Sequence, residues 1–346
     1  MDTAPIRSEE RFDESRVADY LRHSLPDLVG KHEISFEQFP GGHANLTYLA
    51  RAGDVELVLR RPPLGPVAPK SHDMVREHKV LSRLHQAFPE APRALLLCTD
   101  ESIMGKPFFV MDRHRGFVIR ESWPEGLADT SAVRRQLADT FIGALIRLHQ
   151  VDYEALELSD LGHPDGFVER QVAGWTSRWD RAKTRDLEDM NALSSKLSSN
   201  LPAPPAATLL HNDFKLDNAM VDETGNVVAI FDWDMATLGD PLIDLATALA
   251  YWSEPDDPPE RIFGPTPMHQ GGFPSRAEFL DRYSEGTGFD LGSLAWYEAF
   301  AFYKVAVICE QIYARFKAGQ TGDERFESFG EKTERLAAAG LELANS

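Results

Sequence analysis

The chain has 346 residues, 42% hydrophobic and 26% charged. That is enough to bury a large core without disulfides, and it is the balance of a globular chain rather than a disordered or fibrous one. The formal net charge of −19 repels a phosphate backbone, so nucleic acid is not expected as a partner.

The acidity is lopsided. Residues 1–115 hold 16 basic and 17 acidic side chains, whereas residues 116–346 hold 20 and 38. An anion bound in the second part therefore needs local Lys, Arg or metal ions. The polar N-terminal stretch has no apolar leader core, and no run of the sequence reaches the ~18 apolar residues of a membrane span. A cytoplasmic protein without a membrane partner is expected, as a monomer or homodimer. Cys98 and Cys309 lie far apart with no neighbouring Cys or His cluster, so each is expected to be a small buried apolar side chain.

In chain order, 34–60 reads as strand, glycine turn, strand, polar turn, strand. Phe36 and Phe39 lead into Pro40-Gly41-Gly42, Leu46 to Leu49 follow, Gly53-Asp54 turns, and Glu56 to Arg60 resumes. A proline-broken loop precedes a helix over 71–88 with Val80, Leu81 and Leu84 on one face. Two strand-like runs, 94–98 and 107–111, complete a small first lobe. Beyond Gly116 the period becomes helical, over 131–149 and 167–180. One β island follows: Leu209-Leu210, the charged stretch HNDFKLDN (211–218), 219–221, a turn at 223–226, and 227–231. Helices over 241–252, 276–286 and 295–316 close the chain. The fold class predicted is α+β and bilobal: residues 1–115 form a lobe on a small antiparallel sheet, residues 116–346 a larger, mainly helical lobe.

The residues of HNDFKLDN and of FDWD (231–234), with Asp232 fourteen positions after Asn218, fit the needs of phosphoryl transfer. An acceptor hydroxyl needs a base, and Mg²⁺ bridging the phosphates needs oxygen ligands. Asp213 can be the base, and Asn218 and Asp232 can supply metal oxygens once the hairpin folds back.

HxDxxxxN followed by an apolar-Asp-Trp-acidic segment resembles the aminoglycoside phosphotransferase and choline kinase family, the small-molecule branch of the protein-kinase-like fold. The chain looks most like the kinase portion of acyl-CoA dehydrogenase fusion proteins and their free-standing bacterial relatives. The matching stretches are FPGGHANLTY, LVLRRPP, FFVMDRHRG, LGHPDGFVERQVAGW, HNDFKLDN and FDWDMATLGDPLIDLA. The resemblance implies ATP and Mg²⁺ as cofactors. It makes Asp213 the catalytic aspartate, Asn218 and Asp232 the metal ligands, and Lys215 a cation at the transferring phosphate. His211 is expected to pack and hold the loop. Asn212 stands where the aminoglycoside branch usually has Gly, which weakens antibiotic specificity. Asp234 is either a neighbour of the metal or a structural acid.

On the nucleotide side, Val58 and Arg60 share one face of their strand, where an apolar residue over adenine and a cation over phosphate belong. The family more generally has Lys where this chain has Arg60. Glu77 matches the helix glutamate that pairs with that cation, against the reading of a solvated helix residue. Gly41 and Gly42 resemble the phosphate-covering loop, although a Gly-Gly turn by itself is usually just a hairpin. Met111, Asp112 and His114 resemble the hinge, where backbone groups of Asp112 and His114 would meet adenine. Asp240 and Asp244 are expected to cap the helix from Pro241 and brace the loop.

The expected function is phosphorylation of a hydroxyl on a small-molecule acceptor. The resemblance favours a hydroxyacyl compound or its CoA thioester, with Arg113, Arg115 and Arg120 available to CoA. The acidic second lobe would instead suit an aminoglycoside or amino alcohol. A nucleotide-binding pseudokinase is a third reading. A metal hydrolase on His211, Asp213 and Asp232 needs more ligands than the sequence offers.

Overall fold

Apolar and charged residues share Val55–Arg61 in a way that suits a strand with one face in a core, and the chain is extended there. Its flanks follow the same logic, because Gly53 takes the left-handed backbone (φ +61°) that a two-residue turn between strands requires. The computed structural model describes residues 2–40, 45–65, 72–262 and 266–345, and these fall into two compact units.

The first unit is Met1–Gly116 with Glu154–Leu158 and Val228–Ala236. It opens with α1 (Glu14–Ser24) and α2 (Pro26–Val29). Strands β1 (Ile34–Gln38), β2 (Leu46–Ala52) and β3 (Val55–Arg61) follow. Then come α3 (Met74–Leu84), β4 (Ala94–Cys98), α4 (Glu101–Met104) and β5 (Phe108–Asp112). The five strands form one sheet in the order β1-β2-β3-β5-β4, every neighbouring pair antiparallel. Val17 and Leu21 of α1 join Tyr48, Leu59, Phe108 and Val110 in the core on one face.

Arg61 is buried in that core. Its guanidinium donates to the Met104 carbonyl at 2.6 Å and to the Tyr48 hydroxyl at 2.7 Å, and it lies over the Phe12 and Tyr48 rings. A buried charge is tolerable when its donors are spent in this way.

The second unit is Phe117–Tyr153, Ser159–Val227 and Thr237–Ser346. Its helices are α5 (Ser131–His149), α6 (Phe167–Ala182) and α7 (Glu188–Ser199), then α8 (Pro241–Tyr251), α9 (Arg276–Thr287), α10 (Leu294–Lys317) and α11 (Phe329–Leu343). Among them run the short strands β6 (Phe117–Val118), β7 (Thr208–Leu210), β8 (Ala219–Val221), β9 (Val227–Ile230) and β10 (Thr237–Gly239). The end of β9 is counted with the first unit. β6 pairs antiparallel with β8, and β10 with β7. The long α10 packs on α6, α8 and α11, burying Tyr297, Phe300, Tyr303 and Val307. Cys98 and Cys309 are free and buried. Among the described residues no helix is long and apolar enough to cross a membrane.

Candidate active site

In the first unit the register sets Val58 opposite Met111 and Arg60 opposite Phe109. Val58 and Arg60 therefore project to one side of β3, while Arg61 projects into the core on the other. Arg60 donates from Nε to Glu77 Oε2 at 3.0 Å and from Nη2 to Asp232 Oδ1. Glu77 is buried on α3, not solvated. Burial opposes the Arg60 charge, but Glu77, Asp232 and Asp234 outweigh it and raise its pKa. Burial, reinforced by Asp232 and Asp234, pushes the Glu77 carboxyl up to about 7 against the pull of Arg60. Arg60 is thus the cation shared by the carboxyl groups of Glu77 and Asp232, with Asp234 adding to the field.

Asp232 adopts left-handed backbone (φ +69°) ahead of a 3-10 turn over Trp233–Met235. Such a conformation persists in a non-glycine residue only where its surroundings hold it. The Ile230 N–H donates to the Glu90 carbonyl at 2.7 Å and Trp233 Nε1 to the Ile230 carbonyl at 2.7 Å. Trp233 packs edge-on against Phe88, and Arg76 donates to the Ala236 carbonyl. These contacts anchor the segment within the first unit. Asp234 Oδ2 lies 3.6 Å from His72 Nδ1.

At the end of β5 the Asp112 N–H is spent on the Arg93 carbonyl at 3.1 Å, and its carboxylate accepts from the Arg93 N–H and faces His114 Nε2. The Asp112 N–H is therefore already taken within the first unit. Gly41 and Gly42 lie outside the described residues.

In the second unit the loop after β7 is held by one buried carboxylate. Asp244 on α8 accepts the His211 and Asn212 N–H groups, each at 2.6 Å. Asn212 has φ +69°, a left-handed backbone that Asn tolerates better than most side chains and Gly tolerates best. Burial alone would raise the Asp244 pKa, but hydrogen bonding and charge from His149, with help from His211, lower it instead. His149 lies 3.4 Å from Asp244 through Nε2 and 2.6 Å from the Tyr283 hydroxyl through Nδ1. Asp240 caps α8 by accepting the Leu242 N–H and receives the Tyr297 hydroxyl. His211 is wholly buried, and its Nδ1 accepts the Asp213 N–H at 3.3 Å. It holds the loop.

Asp213 Oδ2 is gripped twice, by Lys215 Nζ at 3.0 Å and by Asn218 Nδ2 at 2.9 Å. The side chain keeps 27% exposure, and Oδ1 has no partner among the described residues. Lys215 also sits 5.0 Å above the Tyr251 ring. Burial disfavours its charge, yet Asp213 and Tyr251 outweigh that and raise its pKa. Asn218 spends its amide nitrogen on Asp213, which leaves the amide oxygen for a cation. His149 and Tyr283, which brace Asp244, carry no signal in the sequence, because the three meet only through packing of α5, α8 and α9.

Comparison with known proteins defines the class. The structure superposes on a candidate aminoglycoside phosphotransferase from Ralstonia eutropha with a TM-score of 0.83 and 26% identity, covering 97% of this chain and 99% of that one. It shares its fold with an aminoglycoside phosphotransferase solved with AMP-PNP and hygromycin B, at TM-score 0.60 and 14% identity over 94% and 97% of the two chains. The fold is the α+β fold of the kinase-like phosphotransferases. A model described as the phosphotransferase enzyme family matches residues 35–297. The chain belongs to that family. It is also 32% identical to the Mus musculus acyl-CoA dehydrogenase family member 10 over 349 residues, spanning 99% of this chain and 32% of that protein. The chain thus spans about a third of that relative's length.

Proposed function

We propose that the chain is an ATP- and Mg²⁺-dependent kinase whose acceptor is a hydroxyacyl compound or its CoA thioester. The observation that carries the reading is the Asp213 carboxylate, fixed at Oδ2 by Lys215 and Asn218 while Oδ1 has no partner among the described residues and the side chain is partly exposed. Oδ1 is then the atom that receives the acceptor's proton. The acceptor oxygen forms its bond to the γ-phosphorus as the bond from that phosphorus to the β–γ bridging oxygen breaks, and ADP leaves. Lys215, charged and beside Asp213, neutralises the transferring group.

Asn218 and Asp232 fit Mg²⁺, a cation that takes oxygen ligands. The Asn218 amide oxygen is left over by its hydrogen bonds, and Arg60 occupies only Oδ1 of Asp232. When bound, Mg²⁺ offsets phosphate charge. Arg60, oriented by Glu77, adds a fixed cation on the nucleotide side, and Val58 with Met111 offers an apolar surface for adenine. Support for a nucleotide comes from the AMP-PNP held by the structural neighbour. Support for an acyl acceptor comes from the relative named an acyl-CoA dehydrogenase family member.

The test is ADP release and product phosphorylation over a panel of hydroxy acids and their CoA thioesters, with Mg²⁺ and with EDTA. Acceptor-dependent ADP release that EDTA abolishes is the expected result. Turnover by Asp213→Ala at the wild-type rate would sink the assignment.

A further inference from the structure

His149 ends α5 and Tyr283 lies on α9, and both are buried in the second unit, 3% and 0% exposed. An imidazole and a phenol at that depth need partners for their polar atoms. Those partners form one continuous line. The Tyr283 hydroxyl lies 2.6 Å from His149 Nδ1, and His149 Nε2 lies 3.4 Å from Asp244 Oδ2. The same Oδ2 accepts the His211 N–H and Oδ1 accepts the Asn212 N–H, each at 2.6 Å. The line ends one residue short of Asp213, whose own N–H donates to His211 Nδ1 at 3.3 Å.

The partners assign a hydrogen to His149 Nε2. Ionised Asp244 only accepts, so a bare Nε2 would set a lone pair against Oδ2, whereas Nε2–H aims the ring at the carboxylate. That hydrogen is present in the neutral Nε2–H tautomer and in the charged ring alike. Burial, reinforced by Asp244 and Asp240, raises the Tyr283 pKa well above the usual phenol value, so the hydroxyl keeps its proton. Its bond to Nδ1 fixes the plane of the imidazole, which meets the Tyr283 ring edge-on. The hold matters because Asn212 stands in left-handed backbone (φ +69°), which a non-glycine residue keeps only when its surroundings impose it. An Asp244 carboxylate free to rotate would release one of its two N–H groups and let the loop that carries Asp213 relax.

We infer that His149, oriented by Tyr283, is a positioning residue for phosphoryl transfer: its Nε2–H fixes the rotation of the Asp244 carboxylate, and so the backbone that presents Asp213. This rests on the reading of Asp213 as base. Both residues act through Asp244, and neither touches the reacting atoms.

The test has a spectroscopic and a kinetic arm, both on the full chain. Long-range proton–nitrogen correlation NMR on protein labelled at histidine reads the ring hydrogens of His149, identified by the signal that His149→Gln removes. A hydrogen on Nε2 is expected, and a bare Nε2 overturns the inference. The backbone amide signals of Asn212 and Asp213 should move in His149→Leu and return toward their wild-type positions in His149→Gln, whose amide reaches the place of Nε2. Unchanged amide signals in His149→Leu overturn the inference without any acceptor present. In the kinetic arm, ADP release from Mg-ATP is followed with 3-hydroxybutyryl-CoA. His149→Leu is expected to lower kcat about tenfold or more while the KM for ATP stays within about twofold, and His149→Gln to recover much of that rate. Tyr283→Phe should lower kcat about threefold alone and have no further effect in the His149→Leu background, because the two act in series. A merely structural role predicts rates that follow the folded fraction measured in urea, with no recovery by Gln and additive losses, and that result overturns the positioning role. Undiminished turnover by Asp213→Ala, or no ADP release by the wild type, would instead remove the reading beneath it and leave the NMR arm to decide the contact with Asp244.

Discussion

Arg60 donates to Glu77 at 3.0 Å with Nε while a terminal nitrogen of the same guanidinium holds Asp232. One planar fork thus ties α3 to the segment after β9. Lysine, with a single nitrogen on a flexible stem, does not span both carboxylates in the same way. Arg60→Met strips Glu77 of its partner in a site where that carboxyl is 2% exposed, and is expected to destabilise the fold by about 3 kcal/mol. Arg60→Lys should cost less stability but weaken ATP affinity. Urea unfolding and nucleotide titration measure the two effects separately, and an Arg60→Met protein as stable as wild type would show that the pair contributes nothing.

Asp213→Ala is expected to reduce phosphoryl transfer by about 10²–10⁴-fold, the range for loss of a positioned acid–base group. Nucleotide affinity should hold, since Asp213 contacts Lys215 and Asn218 and no residue assigned to adenine. Single-turnover kinetics and calorimetry read the two quantities. Loss of both together would mean that Asp213 serves the loop's structure more than its chemistry.

Asp244→Asn keeps the shape of the brace but replaces one of the two acceptor oxygens that receive the His211 and Asn212 N–H groups. A buried donor left unsatisfied costs about 1–3 kcal/mol, so a loss of that size is expected in chemical denaturation. The rate should fall as well, because Asp213 hangs from the same loop. A change in rate with intact stability would indicate a role for Asp244 beyond bracing.

Asp222 shapes the turn after β8. Its carboxylate accepts the Thr224 and Asn226 N–H groups, each at 2.9 Å, and the Thr224 hydroxyl at 2.7 Å. Burial would raise its pKa, but hydrogen bonds from Thr224 and Asn226 outweigh that and hold it at about 2. A folded-state pKa below the unfolded one gives stability that is complete above the usual carboxylate range and disappears as pH falls toward 2. The residue is only half-buried, so screening limits the gain to below about 1 kcal/mol. The stability difference between wild type and Asp222→Asn should therefore shrink between about pH 4 and pH 2. A difference that stays constant over that window would contradict the shift.

Much of this molecule is legible from local pattern. The apolar stripe of 131–149 corresponds to α5 (Ser131–His149), and α6, α8, α9 and α10 lie within two residues of where helical spacing puts them. Alternation along β3 sends Val58 and Arg60 to one side, and the spacing in HNDFKLDN brings Asn218 back onto Asp213. Those features depend on residues a few positions apart, and backbone geometry carries them.

The rest is set by contacts between residues distant in the chain. Helices α1, α7 and α11 have short stripes among charged residues, and packing defines them. Arg60 and Arg61 are indistinguishable as neighbouring letters, yet one meets carboxylates and the other Tyr48 and the Met104 carbonyl. Likewise only the folded chain attaches Val228–Ala236 to the first unit, joins His149 and Tyr283 to Asp244, and sets Lys304 against Trp175. Periodicity specifies which side of an element a residue occupies. What stands opposite it, and so whether a charge is paired, is decided when elements pack.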